Sequence, residues 1–142
     1  MQRINFEEVI EQIVAKDKRY ARDAYVFVRE ALDYTQKKLF KQKPRETPHV
    51  TGQELLEGIR EFALQQFGPL TLLVFDEWGI HSTEDFGEIV FNMVDAGLLA
   101  KTDKDSRADF ANGYDFNKAF REPFLPSSKK STKSTPPNSV RA

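Results

Sequence analysis

Leu72 to Glu77 runs through four apolar residues into Asp76 and Glu77, the pattern with which phosphate-transferring ATPases hold magnesium and position water. That chemistry needs a partner loop to cradle phosphate, and none of the seven glycines begins a Gly-x4-Gly-Lys-Ser/Thr stretch. Asp76 and Glu77 are therefore read as the polar end of a buried helix. His81 stands near Asp76, Glu77, Glu84 and Asp85 in sequence, which would permit general acid or base work if a cleft gathered them. No nucleophile elbow accompanies it.

Metal chemistry fares no better. Asp103, Asp105, Asp109 and Asp115 crowd one turn, but a calcium loop counted from Asp103 would need a ligand at Arg107, glycine at Ala108 and glutamate at Tyr114. A solvated charged turn is the simpler account. His49 and His81 each precede a helix cap and lie too far apart for the i, i+4 pair of a helical zinc site. The chain has no cysteine, which excludes disulfides, thiolate nucleophiles and cysteine-based zinc or iron-sulfur sites. The residues thus predict no enzyme, no metal and no cofactor. They suit a reducing cytosol, and a cytoplasmic location is expected.

The length of 142 residues fits one domain with a self-sufficient core. Met1 to Asn5 lacks the apolar run of a signal peptide, and no stretch approaches the roughly 20 apolar residues that cross a bilayer, so no membrane partner is expected. The net charge of -1 conceals a segregation. Residues 1–50 carry 11 Lys and Arg against 8 Asp and Glu, residues 51–126 carry 6 against 14, and residues 127–142 carry 4 against none. The last stretch is Ser, Thr, Lys and Pro with one large apolar residue, the composition of a disordered basic tail.

The positioning elements read as helices. Asn5 stands three residues before Glu8, with Ile4 and Val9 placed as a hydrophobic staple, so a helix should start there and carry Phe6, Val9, Ile10, Ile13 and Val14 inward. Asp17 offers a fresh cap for a long second helix over about residues 18–40, with Tyr20, Ala24, Phe27, Ala31 and Tyr34 on one stripe. Pro44 and Pro48 end it and make the internal hinge. Thr51 and Glu54 form a capping box for a third helix, stopped at Gly68-Pro69. Leu70 to Trp78 is apolar nearly all round and reads as a short central helix with neighbours on every side, in preference to a buried strand. Ser82 caps a fifth helix that closes at Gly97 with Leu98 folding back on Met93.

Beyond Leu98 two readings stay open. Residues 98–102 and 114–120 fit two strands of a wing around a turn at 103–106. Equally, Ser106 and Asp115 could each cap a short helix, with Asn112-Gly113 as the break. Phe110, Tyr114, Phe116, Phe120 and Phe124 should wrap back over the core, because the acidic surroundings disfavour a base-stacking role. The expected architecture is mainly α. Residues 1–126 form one helical domain, in which 1–43 are an N-terminal helical hairpin and 50–126 a winged helix-turn-helix-like half, with a small C-terminal β-hairpin if the wing reading holds. Residues 127–142 are the tail.

The strings RYARDAY from Arg19, LDYTQK from Leu32, GQELLEG from Gly52, DFGEIVF from Asp85 and NGYDF from Asn112 resemble a family of short bacterial proteins of unknown function over about residues 1–126. That family implies no activity and no site residues.

Charge then decides between functions. In a winged arrangement the fifth helix would take the recognition position, yet it carries Glu84, Asp85, Glu88 and Asp95 and no cation. Phosphates would repel it. A protein-interaction module is expected, with Glu84, Glu88 and Asp95 as contacts to a protein partner or a second copy. The alternative is weak, sequence-blind nucleic-acid binding, with Lys37, Lys38, Lys41, Lys43 and Arg45 near the hinge and Lys129, Lys130 and Lys133 in the tail as phosphate contacts.

Overall fold

Asn5 Oδ1 accepts the amides of Glu7 and Glu8 at 3.0 and 3.2 Å, and this cap starts the first helix of the computed structural model, which describes residues 5–42 and 49–126. The elements are α1 (Phe6–Lys16), α2 (Arg22–Gln42), α3 (Gly52–Phe67), α4 (Thr71–Trp78), α5 (Thr83–Asp95) and α6 (Phe116–Phe120). Short 3-10 turns cover Gly68–Leu70, Arg107–Phe110 and Glu122–Phe124. Among the described residues none lies in a strand, and no helix is long and apolar enough to cross a membrane. The staple at Ile4, the proline hinge and the tail fall outside the described residues.

The capping signals are realised where they are local. Thr51 Oγ1 accepts the Glu54 amide at 3.1 Å while the Glu54 carboxylate accepts the Thr51 amide at 3.0 Å. At the end of α5, Gly97 takes φ 84° and the amides of Gly97 and Leu98 reach the carbonyls of Val94 and Met93 at 3.0 and 2.9 Å, the paired bonds of a Schellman ending.

Two expectations are corrected, and the choice left open beyond Leu98 falls to the short helices. The second helix starts at Arg22, not near Lys18, because Asp17 bonds the Arg19 amide two residues on and closes a turn instead of capping. The Ala21 amide then donates to the Trp78 carbonyl at 3.1 Å, and Tyr20, buried, donates its hydroxyl to Asp85 at 2.5 Å. Next, α4 is not surrounded. Thr71 and Phe75 bury one face, while Leu70 and Leu73 are 58% and 63% exposed, since a helix of two turns offers only one face to the bundle. Finally, the wing is absent from the described residues and helical turns occupy its place. The Asp109 carboxylate accepts the Ser106 amide at 3.1 Å, and Asp115 accepts the amides of Asn117 and Lys118 at 2.8 and 3.1 Å. These caps win over strand alternation, and they bring Phe116 and Phe120 together one turn apart, ring centres 5.2 Å from each other.

The core lies where α2 crosses its neighbours. It packs on α1, α3, α4 and α5, burying Ala24, Tyr25, Phe27, Val28, Ala31 and Thr35. Its contact with α3 is close enough to require glycine: a Cβ at Gly58 would lie 1.7 Å from Thr35 Oγ1 and 2.8 Å from Thr35 Cβ. Thr35 cannot simply swing away, because its hydroxyl donates to the Ala31 carbonyl at 2.7 Å.

A methyl group at position 58 should therefore force α2 and α3 apart. Gly58→Ala gains about 1 kcal/mol of helix propensity but meets an overpacking cost of about 1–3 kcal/mol, and net destabilisation is expected. Denaturant titration of Gly58→Ala, Thr35→Gly and the double variant tests it. The double variant should be more stable than the sum of the single losses allows, whereas strict additivity would show that the two positions do not collide.

Candidate functional site

The outer face of α5 is built from three separate segments. Glu88, at its middle, has its carboxylate 3.2 Å from the Arg19 guanidinium and 3.3 Å from that of Arg107. Arg19 in turn meets Asp17 at 2.6 Å, and Arg107 lies over the Phe91 ring at 5.0 Å. Asn92, one turn on, donates to both Asp17 and the Tyr25 hydroxyl at 3.0 Å. Acid and base alternate along this line, Asp17, Arg19, Glu88, Arg107, so the unbalanced acidic row expected from the sequence is not what the surface presents. The sequence places no cation in α5; the turn at 17–21 and the turn at 107–110 deliver them.

The other acids of α5 also have structural tasks. Asp85 accepts the amides of His81 and Ser82 at 2.8 and 3.2 Å, in addition to the Tyr20 hydroxyl. Burial, reinforced by that bond to Asp85, pushes the Tyr20 phenol up. Glu84 accepts the Asn112 amide at 3.1 Å and so secures the one non-glycine among the described residues with positive φ, at 54°. The helix N-terminal amide at its own position, then that of Asn112, hold the Glu84 carboxyl below the usual range. Asp95 is exposed and has no ion pair within 4 Å among the described residues.

The residues weighed for catalysis meet without a cleft. His81 Nε2 stands 2.9 Å from Asp76 Oδ1, but the two side chains are 66% and 71% exposed. Among the described residues no group of three or more His, Asp or Glu side chains could hold a metal ion. Three of the four turn acids are dispersed into separate tasks: Asp105 accepts the Thr102 amide at 2.9 Å and meets His49 at 3.2 Å, while Asp109 and Asp115 serve as caps; Asp103 is exposed.

Of the lysines proposed for phosphate contact, Lys37 and Lys41 are exposed, one turn apart on α2. Lys38 is committed to Glu61, which also accepts the Tyr34 hydroxyl at 3.1 Å. That pair raises the ammonium and lowers the carboxyl of Glu61. Lys43, Arg45, Lys129, Lys130 and Lys133 lie outside the described residues.

A feature without any sequence signal is a cavity of about 390 Å³ bounded by α2, the start of α3, the second half of α5 and the segment 98–110. Leu32, Leu55, Val90, Val94 and Leu99 line it, and His49, Lys101 and Asp105 contribute polar groups. Sequence periodicity assigns such side chains to a core without revealing that they leave space between them. The five aromatics from Phe110 onward divide as expected in part: Phe110 and Phe120 are buried, Phe116 is half-buried against the core, Tyr114 donates its hydroxyl to the Leu56 carbonyl at 2.9 Å, and Phe124 is exposed.

No protein family, curated protein or solved structure matches the chain.

The junction at Asp17 carries a pH signature. The Arg19 guanidinium, followed by Asn92, holds the Asp17 carboxyl well below the usual carboxylate range. Because the pKa falls on folding, the stabilisation is complete above the unfolded value of about 3.9 and is lost as pH falls through the folded value. Asp17→Asn should lower the melting temperature at pH 7, and its gap to the natural chain should narrow below about pH 4. Melting curves followed by circular dichroism across pH 2.5–7 check this; a gap independent of pH would contradict it.

Proposed function

We propose that the protein is a non-enzymatic interaction module acting in the cytosol, whose α3, α4 and α5 form a helix-turn-helix-like half that binds another protein without needing a wing. The observation that carries this reading is the outward pair Leu70 and Leu73, large aliphatic side chains 58% and 63% exposed at the start of α4. Exposed Asp76 and Glu77 follow one turn beyond Leu73 on the same short helix. An apolar ridge bordered by carboxylates suits a partner segment that is amphipathic and basic, laying its own apolar face on the leucines. Glu84 and Asp95 extend the acidic character, while Glu88, neutralised by Arg19 and Arg107, contributes little to it.

A second reading is weak nucleic-acid binding through the basic hinge and tail, favoured by the exposed pair Lys37 and Lys41. Major-groove readout by α5 remains disfavoured, since Glu84 and Asp95 face a polyanion without compensating cations of their own.

A photo-crosslinking residue at position 73, introduced in the source cells, should yield adducts with a discrete protein partner. Leu70→Ser with Leu73→Ser should weaken recovery of that partner by about tenfold or more, as for the loss of central apolar contacts, with unchanged helicity. Full recovery with the double variant overturns the ridge. Fluorescence anisotropy with random duplex at low salt decides the second reading: affinity falling steeply with salt supports it, and no binding removes it.

A further inference from the structure

The cavity beside α5 has the properties of a formed site rather than a packing fault. Its outer wall, the segment 98–110, is seated directly on backbone: a Cβ at Gly87 would lie 2.9 Å from Phe110 Cβ, and one at Gly52 would lie 2.7 Å from Asp109 Cβ. The Thr83 hydroxyl donates to the Phe110 carbonyl at 2.6 Å and accepts the Gly113 amide at 3.0 Å, both at the buried base of that wall. With the wall pinned and Leu98 held by the Schellman ending of α5, the space cannot close by collapse of one side chain.

Size and lining set the kind of molecule. An apolar cavity of roughly 150 Å³ accepts one benzene ring, so about 390 Å³ accommodates an apolar body about two rings wide. Leu32, Leu55, Val90, Val94 and Leu99 supply the apolar contact. The polar lining is unequal. Asp105 already accepts the Thr102 amide and the His49 ring, and Asp109 the Ser106 amide, whereas Lys101 makes only a 3.4 Å bond to the neighbouring Thr102 carbonyl and has no carboxylate within 4 Å among the described residues. Both lining carboxylates are thus engaged on their own loop and on His49, and the Lys101 ammonium is left without a carboxylate partner among the described residues.

We propose that this cavity binds a small amphipathic carboxylate, its apolar body between α2, α3 and α5 and its anionic group on Lys101. The site is separate from the leucine ridge of α4, so either can fail without the other.

2-Naphthoate serves as the probe, with isothermal titration calorimetry and amide chemical-shift mapping as readouts. Saturable one-to-one binding is expected, with shifts at Val90, Val94 and Leu99. Val94→Trp, which fills the space, should abolish it, and Leu99→Trp serves the same purpose if the first variant melts early. Lys101→Gln should weaken 2-naphthoate about three- to tenfold, as for a partly solvated charge-assisted contact, while leaving the uncharged 2-naphthol unchanged. Leu73→Ser should leave both unaffected. Absence of saturable binding, or binding that persists in a folded cavity-filling variant, overturns the site; equal loss of both probes on Lys101→Gln overturns the anion's placement.

Discussion

The ring of Phe75 is the constraint around which the other elements are arranged. It is fully buried, and within 6.2 Å of its centre stand the rings of Phe27 on α2, Trp78 on α4, Phe86 on α5, and Phe116 and Phe120 on α6. Three of these contacts, with Phe27, Phe86 and Phe120, are edge-to-face, the geometry in which the positive rim of one ring meets the negative face of another. A helix of eight residues thereby holds three other elements, α2, α5 and α6, in register. The cost of using so short a helix at the centre is that its opposite side cannot be covered, and Leu70 and Leu73 stay in water. The candidate interaction ridge is thus a geometric consequence of where Phe75 must sit.

A second layer of organisation is electrostatic and works across the chain. The acidic middle of the sequence suggests a repulsive face, yet Arg19 and Arg107 reach Glu88 from either side. Exposed ion pairs of this kind contribute little stability individually. Their larger consequence is to fix the turn at 17–21 against α5, since Asp17 there holds both Arg19 and Asn92 while Tyr20 bonds Asp85. The surface that results is nearly neutral along its middle and acidic at its ends.

How much of this the sequence discloses follows the range of the forces involved. Caps are decided within four residues, so Asn5, Thr51 and Gly97 are legible, and so is the preference for helix over strand at 71–78. The start of α2 is not, because the Trp78 carbonyl and Asp85, far along the chain, hold residues 20 and 21 out of the helix. From residue 98 onward two local signals conflict: alternating aromatics point to strands, while Ser106 and Asp115 point to short helices. Packing resolves it, since Phe116 and Phe120 can both reach Phe75 only when they lie one helical turn apart. The outward leucines of α4 were illegible for a related reason: an all-apolar helix looks buried unless its length is set against the number of its neighbours.

The cavity was the least legible feature, because it is made by what packing leaves out. Its walls nonetheless depend on residues whose local roles are plain. Asp105 and Asp109, read as members of a charged turn, bind the amides of Thr102 and Ser106 and so shape the wall. Gly52 and Gly87, unremarkable within their helices, let that wall approach the backbone of α3 and α5. Had either carried a side chain, the 107–110 turn would stand further out and Phe110 could not be buried. Small residues on two helices and acids on one loop together hold a wall at a fixed distance, and the space behind it follows from that distance.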